Sequence, residues 1–213
     1  HLADADLRFV DIRGHVLPAS EPPPHYFNHY QDYLTAHIPH ATFIDWVHEI
    51  TDPNDPRHAQ IASAERFAAA MSPHGIGAQT MKKKKKKKQN IHDSVLDGGW
   101  QKWVAEGKPT TAEIPQIAPA QFTPQPNPGI YRHKAQIASQ PAHHRALIDV
   151  RTPDEFHGKA SRAARKGHIP GAVNLPRSAL VTAEGTVPDA GTLREQFRKA
   201  GAGENEQGVI FYC

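Results

Sequence analysis

Residues 147–151 read Leu-Ile-Asp-Val-Arg and residues 168–172 read His-Ile-Pro-Gly-Ala, and this pair of motifs occurs twice in the chain. The earlier copy is Phe-Val-Asp-Ile-Arg at residues 9–13, followed by His-Ile-Pro-His-Ala at residues 37–41. The segment that connects the two motifs differs in length between the copies, whereas the motifs at its two ends are similar in sequence. An ordered repeat of this kind indicates two related structural units.

Each copy continues with a helical pattern that ends in glycines. Residues 64–71 (Ala-Glu-Arg-Phe-Ala-Ala-Ala-Met) precede Gly75 and Gly77, and residues 192–200 precede Gly201 and Gly203. Glycine favours helix C-termini because it adopts the left-handed conformation without strain. Both stretches are therefore predicted to be helices.

An apolar run near the end of the chain predicts a strand. Residues 209–212 read Val-Ile-Phe-Tyr, which is typical of a strand that a parallel sheet buries on both faces. Strands alternating with helices predict an α/β fold in which helices flank a mainly parallel sheet in each copy. Reactive groups in such sheets lie outside the carboxyl ends of the strands, which is where Cys213 falls.

The first copy has a lysine run, Lys82–Lys88, where its corresponding strand is expected. Buried unpaired charges cost several kcal/mol each, so this run cannot lie in a sheet covered by helices. Either the strand has been lost or the sequence there is of uncertain identity. The run contributes seven of 25 basic residues against 22 acidic ones, so the positive net charge rests on one homopolymer. Nucleic-acid binding is therefore not expected.

The five prolines between residues 115 and 129 indicate an extended linker. We predict a non-catalytic domain at 1–114, interrupted by the lysine run, a linker at 115–129 and a second domain at 130–213. Residues 94–103 predict a short strand, a glycine turn and an amphipathic helix. Because the chain stops at Cys213, directly after an apolar strand, we expect the second domain to be truncated.

The remaining composition narrows the function classes. The single cysteine excludes an internal disulfide and fits a reducing, cytoplasmic setting. No apolar stretch approaches the roughly 20 residues that span a bilayer, and a secretory signal is not expected from the pattern of the first residues. His25 and His29 are four residues apart but lack a third ligand, so no metal site is predicted.

These motifs resemble a known family. The Ile-Asp-Val-Arg strand with Gly-His-Ile-Pro-Gly-Ala at residues 167–172 is similar to the rhodanese signature, and residues 95–100, Val-Leu-Asp-Gly-Gly-Trp, resemble the closing motif of a rhodanese domain. The chain is identified as resembling the two-domain rhodanese-type sulfurtransferases. The resemblance implies a structural first copy and a second copy in which Cys213 begins the active loop.

The resemblance implies sulfur transfer without a metal or organic cofactor. A thiolate at Cys213 would attack the outer sulfur of thiosulfate, release sulfite and pass the sulfur to cyanide or a thiol. Asp149 and Arg151 are candidates to support the active loop, although Asp11 and Arg13 in the other copy favour an ordinary strand-end ion pair.

Other residues bear on the substrate. Arg162, Arg165 and Lys166 are candidates to attract an anionic donor, although a solvated basic loop is the plainer interpretation. Some mercaptopyruvate- and thiosulfate-specific relatives carry an arginine six residues after the aspartate. Here Glu155 occupies that position, which favours thiosulfate over 3-mercaptopyruvate.

Four alternatives remain open. A lone cysteine is often a buried structural residue. The protein could instead be a 3-mercaptopyruvate sulfurtransferase, a phosphatase built on the rhodanese fold, or a non-catalytic binding module. The expected partners are a small anionic sulfur donor and a thiol or cyanide acceptor, with neither nucleic acid nor membrane involved.

Overall fold

A computed structural model describes residues 7–55, 60–77, 94–139, 145–203 and 208–213. Its contacts divide the chain into two compact units. The N-terminal unit lies within residues 1–126, and the C-terminal unit comprises residues 127–213 together with 18–22 and 97–102. The domain boundaries expected above stay a prediction. The lysine run 82–88, and with it the question of whether the first copy has lost a strand there, lies outside the described residues.

The N-terminal unit contains two small two-stranded sheets and two helices of its own. Strand β1 pairs parallel with β4, and β2 pairs antiparallel with β3. All three residues of β4 are buried, and Tyr33, Ile44 and Met71 are also buried in this unit. The elements are β1 (Phe9–Asp11), β2 (Gly14–Val16), β3 (Tyr26–Asn28), α1 (Tyr30–Thr35), β4 (Ala41–Phe43) and α2 (Ala64–Met71).

Helix α2 covers the residues predicted to be helical. Ser63 caps its N-terminus by accepting a hydrogen bond from the backbone N–H of Arg66, which satisfies one of the amides that a helix start leaves unpaired. A 3₁₀ turn, Ser72–His74, follows and ends at Gly75 in the left-handed conformation.

The predicted strand at residues 94–96 is absent from the structure. These residues pair with no strand in the described part of the chain, and Val95 is 96% exposed. The predicted helix does form after Gly98, as α3 (Gly99–Ala105). The apolar pair Val95-Leu96 therefore led to a wrong strand prediction, because no strand among the described residues lies beside it to pair with.

The C-terminal unit is built on a three-stranded parallel sheet in the order β6-β5-β7. Ile148 in the central strand is fully buried and packs with Leu175 and Ala200, and Phe197 and Val209 lie against this core. The elements are α4 (Lys134–Ala138), β5 (Ala146–Asp149), α5 (Pro153–Phe156), β6 (Val173–Asn174), α6 (Ala190–Lys199) and β7 (Val209–Tyr212).

Strand β7 is less buried than its apolar sequence predicts. Phe211 is 51% exposed, although it contacts Phe197 edge-on at 6.0 Å between ring centroids. Within the described residues, β7 pairs only with β5, so one of its edges carries no partner strand. The expectation that this strand is covered on both faces was therefore wrong for Phe211.

No helix in the described ranges is both long and apolar enough to cross a membrane.

Substitution of Gly75 would test the packing of the N-terminal unit. Its φ is +66°, and a Cβ there would lie 2.5 Å from Cγ2 of Ile117. We expect Gly75→Ala to lower the free energy of unfolding by about 1–2 kcal/mol for the left-handed backbone plus about 1–3 kcal/mol for the overlap.

Gly107→Ala is the matched control, because Gly107 has a φ of +63° but open space around its Cβ position. We expect chemical denaturation of Gly107→Ala to show only the loss in the free energy of unfolding that comes from the left-handed backbone. Equal losses in the two variants would contradict the packing described around Gly75.

Candidate active site

The carboxyl ends of the three parallel strands bring the candidate residues to one edge of the sheet. Strand β5 ends at Asp149, which lies in register with Asn174 at the end of β6 and with Tyr212 at the end of β7. Cys213 directly follows β7, is exposed and has a free thiol. The structure thus places the candidate nucleophile next to the end of the central strand.

Asp149 and Arg151 form an ion pair beneath this edge. The Asp149 side chain is fully buried and accepts hydrogen bonds from the backbone N (2.9 Å), Nε (3.1 Å) and Nη2 (2.6 Å) of Arg151. Burial alone would raise the pKa of Asp149, but the hydrogen bonds from Arg151 outweigh it and the pKa is lowered. Asp149 is therefore ionised at neutral pH.

Arg151 also reaches across to the loop that carries the histidine motif. Its Nη2 donates to the carbonyl oxygen of Gly167 at 2.8 Å. The hydrogen bonds to Asp149 raise the pKa of Arg151, with burial acting in the opposite direction. The guanidinium thus couples the end of β5 to the start of the His-Ile-Pro-Gly-Ala segment.

Tyr212 joins the same hydrogen-bonded group. Its hydroxyl accepts a hydrogen bond from the backbone N of Ile169 at 3.1 Å and interacts with the carboxylate of Asp149. The Arg151 guanidinium lies 5.7 Å from the centroid of its ring. Burial, the largest influence, raises the pKa of Tyr212, so the phenol remains protonated at neutral pH.

Asn174 fixes the backbone at the end of β5. Its Nδ2 donates to the carbonyl oxygens of Asp149 and Arg151, both at 3.0 Å. The carbonyl of Asp149 also accepts from the backbone N of Leu175 at 2.9 Å, so Asn174 adds a second donor there and supplies a donor to the carbonyl of Arg151. The amide therefore holds the chain beyond the strand in a single path.

The N-terminal unit repeats the aspartate–arginine arrangement. Asp11 Oδ1 accepts from the backbone N and the Nε of Arg13, both at 3.0 Å, and Arg13 Nη2 donates to the carbonyl oxygen of Ala36 at 2.8 Å. Ala36 and Gly167 each precede the histidine of their motif. The pair is thus a building feature of both copies and is not confined to the copy with the cysteine.

The two motif histidines are also held alike. His168 stacks on Phe156 with 3.8 Å between ring centroids, and its Nδ1 lies 2.9 Å from the carbonyl oxygen of that residue. His37 stacks on Tyr33 at 3.9 Å and contacts that residue's carbonyl at 2.7 Å. His37 is fully buried, whereas His168 is exposed.

The three basic candidates divide into two kinds. Arg162 forms an ion pair with Glu155, with 2.8 Å between Nη1 and Oε1, and only 22% and 6% of the two side chains are exposed. Glu155 also completes a capping box with Thr152 at the start of α5. Arg165 and Lys166 are exposed. The structure therefore brings Arg162 to Glu155 and leaves only Arg165 and Lys166 facing solvent.

Sequence reasoning missed three residues of this region: Tyr212, Asn174 and the partner role of Glu155. Alternation along β7 could have placed Tyr212 on the face opposite Phe211, but its hydroxyl partners come from distant segments. Among the described residues, no group of three or more His, Cys, Asp or Glu side chains is arranged to hold a metal ion.

Comparison with known proteins agrees with this arrangement. A family profile of the rhodanese-like domain matches residues 132–213. The sulfur carrier protein TtuD of Thermus thermophilus is 32% identical over an alignment that covers all of this chain and 78% of that protein. A Mycolicibacterium smegmatis protein assigned as a thiosulfate sulfurtransferase is 29% identical, with coverage of 85% and 72%.

The fold has a counterpart among solved structures. The crystal structure of SseA from Escherichia coli, described as a 3-mercaptopyruvate sulfotransferase with the rhodanese fold, superposes with a TM-score of 0.80. It is 23% identical, and the match covers 100% of this chain and 84% of SseA. From the repeated motifs, the strand-end geometry and these similarities together, this chain belongs to the rhodanese-type sulfurtransferase family.

Proposed function

We propose that this protein transfers the outer sulfur of thiosulfate, through a persulfide on Cys213, to cyanide or a thiol acceptor. The observation that carries the proposal is the position of Cys213: the only cysteine of the chain is exposed and directly follows β7. The relatives named as a sulfur carrier and a thiosulfate sulfurtransferase support this choice of chemistry.

The reaction needs two displacements at sulfur. The Cys213 thiolate attacks the outer sulfur of thiosulfate, the S–S bond breaks, and sulfite leaves with the electron pair. The carbon of cyanide, or the sulfur of a thiolate, then attacks the outer sulfur of the persulfide. The Cys213 thiolate leaves again, so neither step consumes an oxidant or requires a metal.

Both reactants in the first step are anions, so the approach of thiosulfate depends on nearby positive charge. Arg151 is already paired with Asp149, and Arg162 with Glu155. We therefore assign attraction of the donor to the exposed Arg165 and Lys166. Arg162 is reassigned from substrate binding to holding Glu155 at the start of α5.

The Glu155–Arg162 pair also bears on the donor. The carboxylate of 3-mercaptopyruvate would need a cation of its own, and the buried Glu155 carboxylate already neutralises Arg162. This favours thiosulfate over 3-mercaptopyruvate, which stays the second candidate donor. A rhodanese-fold phosphatase and a non-catalytic module are the remaining alternatives, and both predict a chain that does not take up sulfur.

The setting and roles of the other residues follow from the same chemistry. We propose that Asp149 and Arg151 support the segment around Cys213, because Arg151 joins the end of β5 to the His168 loop and Asp149 interacts with Tyr212 at the end of β7. A reducing compartment such as the cytoplasm would keep the thiol free between turnovers. No nucleic acid or membrane takes part in this proposal.

Treatment with thiosulfate should add the mass of one sulfur atom to the intact chain, and Cys213→Ser should add none. Since Cys213 is the only cysteine, mass spectrometry assigns the adduct without ambiguity. The wild-type chain should form thiocyanate from thiosulfate and cyanide, with a higher kcat/KM for thiosulfate than for 3-mercaptopyruvate. Cys213→Ser should reduce thiocyanate formation to the uncatalysed rate with an unchanged circular dichroism spectrum.

Wild-type chain alkylated at Cys213 is the control for this experiment and should match the serine variant. Sulfur transfer by Cys213→Ser would overturn the assignment of the nucleophile. A higher kcat/KM for 3-mercaptopyruvate would establish the second candidate donor instead. Uptake of phosphate from a model phosphate ester, with no uptake of sulfur, would support the phosphatase.

Replacing both Arg165 and Lys166 by glutamine should raise the KM for thiosulfate about threefold to tenfold at low ionic strength with kcat unchanged. The expected effect is electrostatic, because these side chains are exposed, so it should shrink as salt is added. The double variant Lys134→Gln, Lys199→Gln removes equal charge from α4 and α6 and should leave the KM unaltered. Equal KM increases in the two double variants would assign the effect to net charge alone.

Asp149→Asn should slow persulfide formation and lower the free energy of unfolding by about 3–5 kcal/mol at neutral pH, because Arg151 loses its counter-charge in a buried position. The lowered pKa of Asp149 means that the ionised carboxylate stabilises the fold above its unfolded pKa of about 3.9. This stabilisation is lost as the pH falls below the unfolded pKa. The difference in the free energy of unfolding between Asp149→Asn and wild type should therefore become smaller below about pH 4.

Asp11→Asn makes the same change in the copy without the cysteine and is the matched control. It should destabilise the N-terminal unit and leave the rate of persulfide formation unchanged. A similar slowing in both variants would show that the aspartate–arginine pair acts only on the scaffold.

A further inference from the structure

We infer that Tyr212 is a positioning residue for sulfur transfer, holding Cys213 in place through a hydroxyl that accepts from the N–H of Ile169 and interacts with Asp149. This inference rests on the proposed role of Cys213 as the sulfur carrier. It assigns to the residue before the nucleophile a task that its place in an apolar strand does not suggest.

Tyr212 is fixed at both its backbone and its side chain. Its carbonyl oxygen accepts a hydrogen bond from the N–H of Val150 at 3.0 Å, which continues the ladder between β5 and β7. Its hydroxyl is held by Asp149 and by the N–H of Ile169. The residue bonded to Cys213 therefore has little freedom to rotate or shift along the strand.

The hydroxyl of Tyr212 closes a circuit of contacts. Arg151 donates to the carboxylate of Asp149 and to the carbonyl of Gly167. Two residues after Gly167, the N–H of Ile169 donates to the hydroxyl of Tyr212, and that hydroxyl interacts with Asp149. Three separate segments meet in this circuit: the end of β5, the histidine-motif loop and the end of β7. Breaking the link between Tyr212 and Ile169 would leave the partly buried N–H of Ile169 without this acceptor.

The circuit requires a group that donates and accepts at the same time. A carboxylate only accepts and a backbone N–H only donates, so the atom between Asp149 and Ile169 has to do both. A protonated phenol meets this requirement, and burial keeps it protonated by raising the pKa of Tyr212. Phenylalanine would fill the same space and keep the ring beneath the Arg151 guanidinium, but it would leave the N–H of Ile169 without its acceptor and remove the hydroxyl from beside Asp149.

The first test compares Tyr212→Phe with Tyr131→Phe. The control removes a phenol oxygen from an exposed ring of the same unit. We expect Tyr212→Phe to slow persulfide formation on Cys213 by about tenfold to a hundredfold, since small displacements of a reacting atom have effects of this size. The rate of Cys213 alkylation by iodoacetamide should change as well, while the circular dichroism spectrum shows that the variant is folded. Tyr131→Phe should match wild type in both rates.

A second variant keeps the oxygen and changes only its acidity. Site-specific difluorotyrosine at position 212 retains the ring and the hydroxyl but ionises at lower pH. Once ionised, the phenolate cannot donate to Asp149 and is repelled by it; Asp149 and Arg151 are the charged groups acting on this hydroxyl. We expect the pH profile of Cys213 alkylation to gain a descending basic limb that wild type lacks. A purely packing role for Tyr212 predicts no such limb.

The outcomes separate the two proposals. If Cys213 takes up no sulfur in the wild-type chain, the proposed function fails, while the alkylation profiles still test Tyr212. If wild type takes up sulfur and both position-212 variants show wild-type rates and pH profiles, the positioning role is overturned and the proposed function stands. Should Tyr212→Phe fail to fold, the fluorinated variant, which preserves the shape of the side chain, decides the question.

Discussion

The buried carboxylate of Asp149 determines how the residues at the carboxyl ends of β5, β6 and β7 are arranged. A fully buried charge is costly unless it is paired and hydrogen-bonded, and here Arg151 supplies the donors while the Tyr212 hydroxyl interacts with the same carboxylate. Meeting that requirement fixes other groups in turn, because Arg151 also holds Gly167 and Tyr212 also holds Ile169. One buried charge thus determines where two strands and a loop meet, next to the only cysteine.

The same solution in the N-terminal unit explains how such a site could arise from a scaffold feature. Asp11 and Arg13 reproduce the geometry and hold the residue before His37, as Arg151 holds the residue before His168. The copies differ in exposure, since His37 is buried and His168 is not. The repeated pair therefore supplies a rigid strand end, and the residues around it distinguish the copy with the cysteine from the copy without one.

Local sequence predicted the elements well, and long-range contacts account for what it missed. The helical pattern at 64–71 became α2, and the apolar run at 209–212 became β7 with Cys213 after it. Exposure of Phe211 was not predictable, because it depends on which distant segments pack on that face of the sheet. The contact between Tyr212 and Ile169 joins residues 43 positions apart, which periodicity cannot detect. Pairing of Glu155 with Arg162 likewise depends on how the intervening loop turns back.

These internal pairings decide which charges remain for chemistry at Cys213. An ion pair such as Arg151 with Asp149 presents little net charge to an approaching dianion, and Arg162 is neutralised by Glu155 in the same way. The buried ion pairs therefore contribute order, whereas attraction falls to exposed side chains whose field is screened by salt. Order and attraction are thus separate properties of this site. Changes at Tyr212 or Asp149 should act on the rate of the sulfur-transfer step, and changes at Arg165 or Lys166 on the capture of the donor.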